Sequence, residues 1–444
     1  MQNIIENKMT PVQIRLHTED FRSINSADII INGITVVAGE NGCGKSTLSK
    51  LLYYLYKTIS NYDVLVSGKL SSDLSNVARF LEIAQMELFN KSYDRPQRLE
   101  FQKDFNNLRR EIIRVTPDEK QLQDWLKFVD KIAFAISLKN PLMTEGRHRL
   151  RYIAKDIIKN IKIDDVGADD NPFELVKLHV DSLFKETFGL ITSRSTNLFK
   201  NELQNVFHDS NIPGIFDVFE FGQQIVGLNK NNLSIPYTIQ NVIYIDTPMM
   251  IGVETDENEY WKDLNKILTK KSLNSFSQFS ELISKEIIDG DVSFDDSILA
   301  LNDFSYKRSD GSVFNLLDCA TGIKSFSILQ LLLKNGSLSD KTLLIIDEPE
   351  SHLHPQWIIE YARLIVLLNK NIGIKFFIAS HNPDMVSAIR IISEKEDTLS
   401  DLNFYLAEKI NKYSYDYRHL GIEIDPIFES FNIALDRMNL YGGE

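Results

Sequence analysis

Apolar and polar residues alternate near the start of the chain in VQIRL and again in DIIING, the two-residue period of half-buried strands. They then close up into ITVVAG, an apolar run ending at Gly39 that predicts a buried strand. STLSKLLYYLYKTI follows with helical spacing. From about Ser60 to Ile235 the period changes. SNVARFLEIAQMELF and QLQDWLKFVDKIAFAI repeat apolar residues at helical steps among many charges, and strand-like runs are scarce. Strand patterns return in NVIYID (Asn241 to Asp246), TLLIIDEPE (Thr342 to Glu350) and IKFFIASH (Ile374 to His381). The pattern predicts an α/β core split in sequence: residues 1–60 form its first part, 61–235 a helical insertion, and 236–444 its second part. Pro96 and broken heptads exclude a long coiled-coil hairpin, so the insertion is expected to be a compact lobe. DPIFESFNIALDRMNLYGG predicts a last helix, with Asp425 as cap, Pro426 in the first turn, Gly442 as stop, and Ile427, Phe431, Ala434, Met438 and Tyr441 on one face.

With 444 residues, 43% of them hydrophobic, the chain can bury a substantial core. Its apolar runs are short and interrupted by charge, and MQNIIENKMTPVQ lacks the basic-then-apolar pattern of a secretory signal. A cytoplasmic protein without membrane spans is the expectation. Two cysteines, Cys43 and Cys319, make no disulfide framework. The formal charge of −13 repels nucleic acid, so any such contact needs a local basic patch. RHRLR (Arg147 to Arg151) and the group Arg109, Arg110 and Arg114 are the candidates, although interspersed acids also suit a solvated helix face.

The chemistry begins at GENGCGKST, Gly39 to Thr47. In this P-loop pattern, glycines let backbone N–H groups wrap phosphates. The following helix N-terminus adds a positive dipole, Lys45 reaches the terminal phosphates, and Ser46 offers a magnesium ligand. Gly39, Asn41, Gly42, Cys43, Gly44, Lys45, Ser46 and Thr47 are therefore the expected ATP-binding residues. A glycine-rich turn opening a helix would explain the glycines but neither the lysine nor the buried strand before it. LLIIDEPE supplies the acidic strand that such a loop needs: Asp347 is placed to bind Mg2+, directly or through water. Glu348 stands one residue further, where it can orient or deprotonate an attacking water. IASHNPDM ends a third buried strand at His381, a candidate hydrogen-bond donor to the γ-phosphate. A lone histidine after a strand is otherwise an ordinary turn residue.

Together, GENGCGKST, IIDEPESHLHP and IASHNPDM resemble the ABC-type ATPase heads of the SMC, RecF and OLD group. The resemblance implies an ABC-type P-loop ATPase head, with mixed sheets flanked by helices and interrupted by the helical insertion. It also implies a head-to-head homodimer with two sandwiched ATP molecules. The family's signature loop corresponds to CATGIKSFSILQLLL, in which Ala320 replaces the usual serine, so that Thr321 and the Gly322 backbone become the γ-phosphate contacts. The same residues also read as a capped amphipathic helix. SHLHP resembles the D-loop, making His352 and His354 intersubunit contacts rather than metal ligands. FRSI, Phe21 to Ile24, resembles the segment beside the adenine, and Asp246 closes a strand comparable to the one before the family's Q-loop. A dimer would bring Cys43 and Cys319 toward the nucleotide, which raises the question of oxidation sensitivity.

A DEPESHLHP motif beside a modest helical insertion resembles ATPases of bacterial anti-phage modules such as the OLD, Septu and PARIS groups. OLD nucleases carry a TOPRIM domain after the ATPase, and too few residues follow Asp384 for one here. The expectation is therefore a sensor ATPase that oligomerises and controls a separately encoded effector, such as a nuclease. The alternative is a RecF-like, ATP-dependent DNA-binding repair factor, which the −13 charge disfavours.

Overall fold

The three long apolar runs lie side by side toward one end of a single sheet. The structure is a computed structural model that describes residues 14–89, 95–111, 117–138, 144–158, 171–208, 211–251, 259–271, 277–295, 303–429 and 440. In chain order its strands are β1 (Ile14–Phe21), β2 (Ile24–Ile30), β3 (Ile34–Ala38), β4 (Ile215–Glu220), β5 (Gln223–Gly227), β6 (Asn241–Ile245), β7 (Gly290–Asp295), β8 (Asp303–Arg308), β9 (Val313–Asn315), β10 (Thr342–Asp347), β11 (Lys375–Ser380), β12 (Leu402–Lys409) and β13 (Tyr415–Gly421). Ten of them form a mixed sheet in the order β5-β4-β1-β2-β13-β12-β3-β11-β10-β6, and β7-β8-β9 form a second, three-stranded sheet.

β6, β10, β11, β3 and β12 run parallel to one another. Every residue of β3, β10 and β11 is buried, which is why these strands read as continuous apolar runs. β1 and β2 pair antiparallel, as do β12 and β13. Parallel strands direct their C-terminal ends to one edge, where open α/β sheets bind ligands. Gly39, Asp246, Asp347 and His381 all follow or close strands at that edge.

The chain divides into two compact units, one made of 1–60 with 196–444 and the other of Asn61–Ser195. The first unit holds α1 (Lys45–Ser60), directly after β3. The second holds α2 (Tyr62–Phe89), α3 (Arg95–Glu111), α4 (Glu119–Leu138), α5 (Thr144–Ile158) and α6 (Pro172–Ser193), around a core that includes Phe80, Trp125, Val129 and Phe184. Its two chain ends are tied together: Arg194 pairs with Asp63 at 3.1 Å and lies over the Tyr62 ring at 4.7 Å.

The helical unit thus stops at Ser195, short of the expected boundary at Ile235. Residues after it return to the sheet-bearing unit. α7 (Thr196–Phe207) places Phe199 5.5 Å from Phe216 and Phe207 5.1 Å from Phe21, and β4 pairs with β1. IFDVFE is half-buried with a strict two-residue period, a signal hidden between helical patterns. The remaining helices are α8 (Glu259–Leu268), α9 (Ser277–Leu282), α10 (Thr321–Lys334), α11 (Pro355–Ile372) and α12 (Pro383–Lys395). Residues 425–429 form the start of the expected last helix, whereas Phe431, Ala434, Met438, Tyr441 and Gly442 lie outside the described residues. Among the described residues no helix is long and apolar enough to cross a membrane.

Candidate functional site

The loop between β3 and α1 is shaped by its glycines. Gly44 has φ 104°, and a Cβ there would lie 2.8 Å from Ser23 Oγ and 2.9 Å from Ile24 Cγ1. Only glycine meets both the left-handed backbone and the close approach of the β1–β2 turn. FRSI therefore does border the loop. At Gly39 a Cβ would lie 2.8 Å from Ala407 Cβ and 2.9 Å from Cys43 Sγ. Glu40, Asn41, Gly42 and Ser46 face solvent, Thr47 is half-buried, and Cys43 is enclosed, its carbonyl accepting a 2.9 Å bond from the Tyr417 hydroxyl. Burial pushes both the Cys43 and Cys319 thiols above their ordinary range, away from the reactive thiolate that redox sensitivity needs.

Lys45 opens α1 and is only 6% exposed. Its Nζ donates to the Gly39 and Glu40 carbonyls, both at 2.9 Å. The loop curls around its own ammonium, concentrating a buried positive charge beneath exposed backbone N–H groups.

β10 delivers Asp347 to the neighbouring position. Its carboxylate is 6% exposed; Oδ2 accepts a 3.1 Å bond from the Tyr244 hydroxyl of β6, and Oδ1 is buried without a hydrogen bond. Burial raises its pKa, against the stabilising hydroxyls of Ser46 and Tyr244. An orphaned carboxylate oxygen beside an exposed serine hydroxyl fits a hard cation that keeps most of its ligands as water or phosphate oxygen, as Mg2+ does.

Glu348 follows with φ 52°, a left-handed conformation that costs energy for a side chain of this size and concentrates at functional sites. Its N–H donates to Ala379 O at 2.8 Å, fixing the turn on β11. Oε1 lies 3.4 Å from His381 Nδ1, and Oε2 accepts from Ser351 Oγ at 3.2 Å. Both Glu348 and His381 remain about two-fifths exposed, at 40% and 42% of their side-chain area. Asn382 caps α12 through bonds to the Asp384 and Met385 N–H groups, which sets where His381 leaves the sheet.

Glu350 escaped the sequence reading. It is 6% exposed, and Oε1 accepts from Ser380 Oγ at 2.8 Å and from His381 N at 3.0 Å while lying 3.5 Å from His381 Nδ1. The second glutamate of DEPE is its only sequence signal.

The structure brings Lys45, Ser46, Asp347, Glu348 and His381 to one sheet edge, but Gly322, beside Thr321, is built into another contact. The two residues start α10, whose Phe326 ring packs on Trp357 and Tyr361 of α11 at 5.6 and 5.3 Å. A Cβ on Gly322 would meet the Trp357 ring at 2.3 Å. His354 caps α11 through Nδ1, and the neighbouring His352 is exposed with φ 63°. Asp246 is held by Tyr260 Oη at 2.8 Å and Trp261 Nε1 at 2.6 Å, so its carboxylate serves the seam between β6 and α8. Of the basic candidates, Arg109, Arg110 and Arg149 are exposed; Arg114 and the Arg147 side chain lie outside the described residues.

A family model described as "AAA domain, putative AbiEii toxin, Type IV TA system" matches residues 34–387. No curated protein matches the sequence. Among solved structures, the chain is similar to the Smc head domain of Pyrococcus furiosus with an extended coiled coil, bound to the C-terminal domain of ScpA, at 10% identity over 94% of this chain and 98% of that one, with a TM-score of 0.35. It is similar to the SMC head domain from Thermotoga maritima at 12% identity over 91% and 98%, with a TM-score of 0.35. For cbiO1 of Clostridium perfringens, part of an ABC transporter complex, the figures are 13% identity over 54% and 78%, with a TM-score of 0.25.

Proposed function

The chain belongs to the AAA-domain family described in those words, and from that premise we propose that it is a Mg2+-dependent ATPase working as a nucleotide-driven switch in a cytoplasmic defence module. The observation that supports this best is the convergence at the sheet edge. Buried Lys45, half-orphaned Asp347 and the partly exposed pair of Glu348 and His381, 3.4 Å apart, gather where adjacent strands end.

In this reading the backbone N–H groups from Gly39 to Thr47, the α1 N-terminus and Lys45 bind the phosphates of ATP. Ser46 and Asp347 would hold Mg2+, which would supply charge neutralisation on the phosphate oxygens. Glu348 orients the attacking water and takes up its proton; its turn is already locked on β11 and its Oε2 is anchored by Ser351. His381 donates to the terminal phosphate. Glu350 acts through it as a positioning residue, since it binds both His381 N and Ser380 Oγ.

Gly322 packs close against Trp357 of α11, and with Thr321 it would present the α10 N-terminus to the P-loop of a second copy. Binding would close such a pair and hydrolysis reopen it, with the helical unit or a bound partner responding to the difference. The family's description, which names a putative toxin of a Type IV TA system, supports a separately encoded partner, and in this reading that partner is an effector such as a nuclease.

Two substitutions test the reading. Lys45→Ala should abolish ATP binding in calorimetry. Glu348→Gln should bind ATP, hydrolyse it at least about a hundredfold more slowly, and shift to a dimer in light scattering. Normal turnover by Glu348→Gln would remove Glu348 from the base role, and ATP binding by Lys45→Ala would end the P-loop assignment.

A further inference from the structure

The parallel strands have a second edge, opposite the P-loop, where β3 begins after Gly33 and β11 begins at Lys375. A cleft of about 450 Å3 opens there, lined by Lys341, Lys375, Phe221, Tyr237, Asp340 and Asp401 among others. Nothing in the ATPase chemistry uses it.

Lys375 is its least ordinary member. It is 8% exposed, and its Nζ donates one hydrogen bond, to Asp340 O at 3.1 Å. Among the described residues no carboxylate lies within ion-pair distance of it, so an ammonium with three donors is left largely unmatched in a buried place. Burial lowers its pKa; the charges acting on it come from Asp340, Asp401 and Glu220, which oppose the shift, and from Lys341, which adds to it. Lys370, on the same cleft, is already bound to Glu396 at 2.8 Å.

The mouth is aromatic. Tyr237 is 65% exposed and Phe221 51% exposed, with ring centroids 6.5 Å apart, and Lys341 Nζ lies 4.0 Å from the Tyr237 centroid. This is a built arrangement: Phe221 holds a left-handed backbone, φ 49°, at the tip of the β4–β5 hairpin, an unfavourable position for a bulky exposed side chain. The Glu220 carboxylate, 7% exposed, accepts from Tyr237 N at 2.9 Å and Thr238 N at 2.6 Å, fixing the Tyr237 segment beside that hairpin.

We propose that this cleft is a second binding site, for a phosphate carrying a nucleobase, with the phosphate on Lys375 and Lys341 and the base stacked on Tyr237 beside the tilted ring of Phe221. Lysine is a point-charge partner for phosphate, and exposed aromatic rings stack any base. The ligand's source is either a free mononucleotide or the 5′ end of a single strand. The site stands independently of the ATPase reading.

The test uses the full chain carrying Lys45→Ala, so that the P-loop does not contribute. AMP, inorganic phosphate, adenosine and a 5′-phosphorylated oligothymidylate are titrated by calorimetry. AMP or the oligonucleotide should bind more tightly than phosphate or adenosine. Lys375→Met should weaken that binding about tenfold or more, and Tyr237→Ala about fivefold or more. A preference for AMP identifies a free nucleotide as the source, and a preference for the oligonucleotide a strand end. The proposal fails if neither binds at millimolar concentration, if phosphate alone binds as well, or if both variants bind as the parent does. Should Lys375→Met not fold, the substitutions at exposed Tyr237 and half-buried Lys341, Tyr237→Ala and Lys341→Ala, decide alone: unchanged affinity in both overturns the site.

Discussion

Asp347 shows how a single site residue trades stability for chemistry. Its carboxylate is buried, one oxygen has no hydrogen bond, and burial raises its folded-state pKa. Between the unfolded and the raised folded value, the folded chain holds the extra proton, so stability falls as pH rises through that window. Above the raised folded value the whole penalty is present. Asp347→Asn should therefore raise the melting temperature of the nucleotide-free protein, by a free energy on the order of 1–3 kcal/mol at most, while abolishing hydrolysis. The gain should vanish in acid, below the unfolded pKa. A lower melting temperature at neutral pH would mean that the charge is already well compensated. Asp347, Glu348 and Lys45 were legible in sequence because each lies within a contiguous run whose spacing states its chemistry. Tyr244, Tyr417 and Glu350 were not, because their importance comes from which strand lies beside which: Tyr244 reaches Asp347 across β6 and β10, and Tyr417 reaches Cys43 from β13.

At the level of elements, legibility followed burial. β3, β10 and β11 are buried throughout and announced themselves as apolar runs. β4, with its alternating burial, and the short β9 lay between helical or polar stretches and gave no comparable signal. α10 opens on ATG, which reads equally as a cap or as a nucleotide contact. Two effects compete at Gly322. Alanine favours a helix over glycine by about 1 kcal/mol, whereas a Cβ here meets the Trp357 ring at 2.3 Å. Overfilling a well-packed contact costs roughly 1–3 kcal/mol, so the clash should win and Gly322→Ala should lower the melting temperature. If thermal denaturation shows stabilisation instead, α10 and α11 separate easily, and Gly322 is a glycine for some reason other than close contact.

For the whole molecule, the open question is whether one chain completes a site. The P-loop edge of the sheet assembles the phosphate-binding loop and both acids, while Thr321 starts a helix whose ring contacts run to α11. A site shared between two copies predicts complementation. Lys45→Ala disables only the phosphate-binding half, and Thr321→Arg, at a half-buried helix start, should disable only the half offered to the partner. Each variant alone should be inactive. In a mixed dimer one site combines both defects, and the other joins the intact loop of the Thr321→Arg chain to the intact α10 of the Lys45→Ala chain. Random pairing of equal amounts makes half of all dimers mixed, each with one of two sites intact, so ATPase activity should recover to about a quarter of the parent. Recovery should need time for subunits to exchange, and should be faster when ATP is added after mixing than before it. A mixture as inactive as its components would place the complete site within one chain, with α10 serving only to support α11.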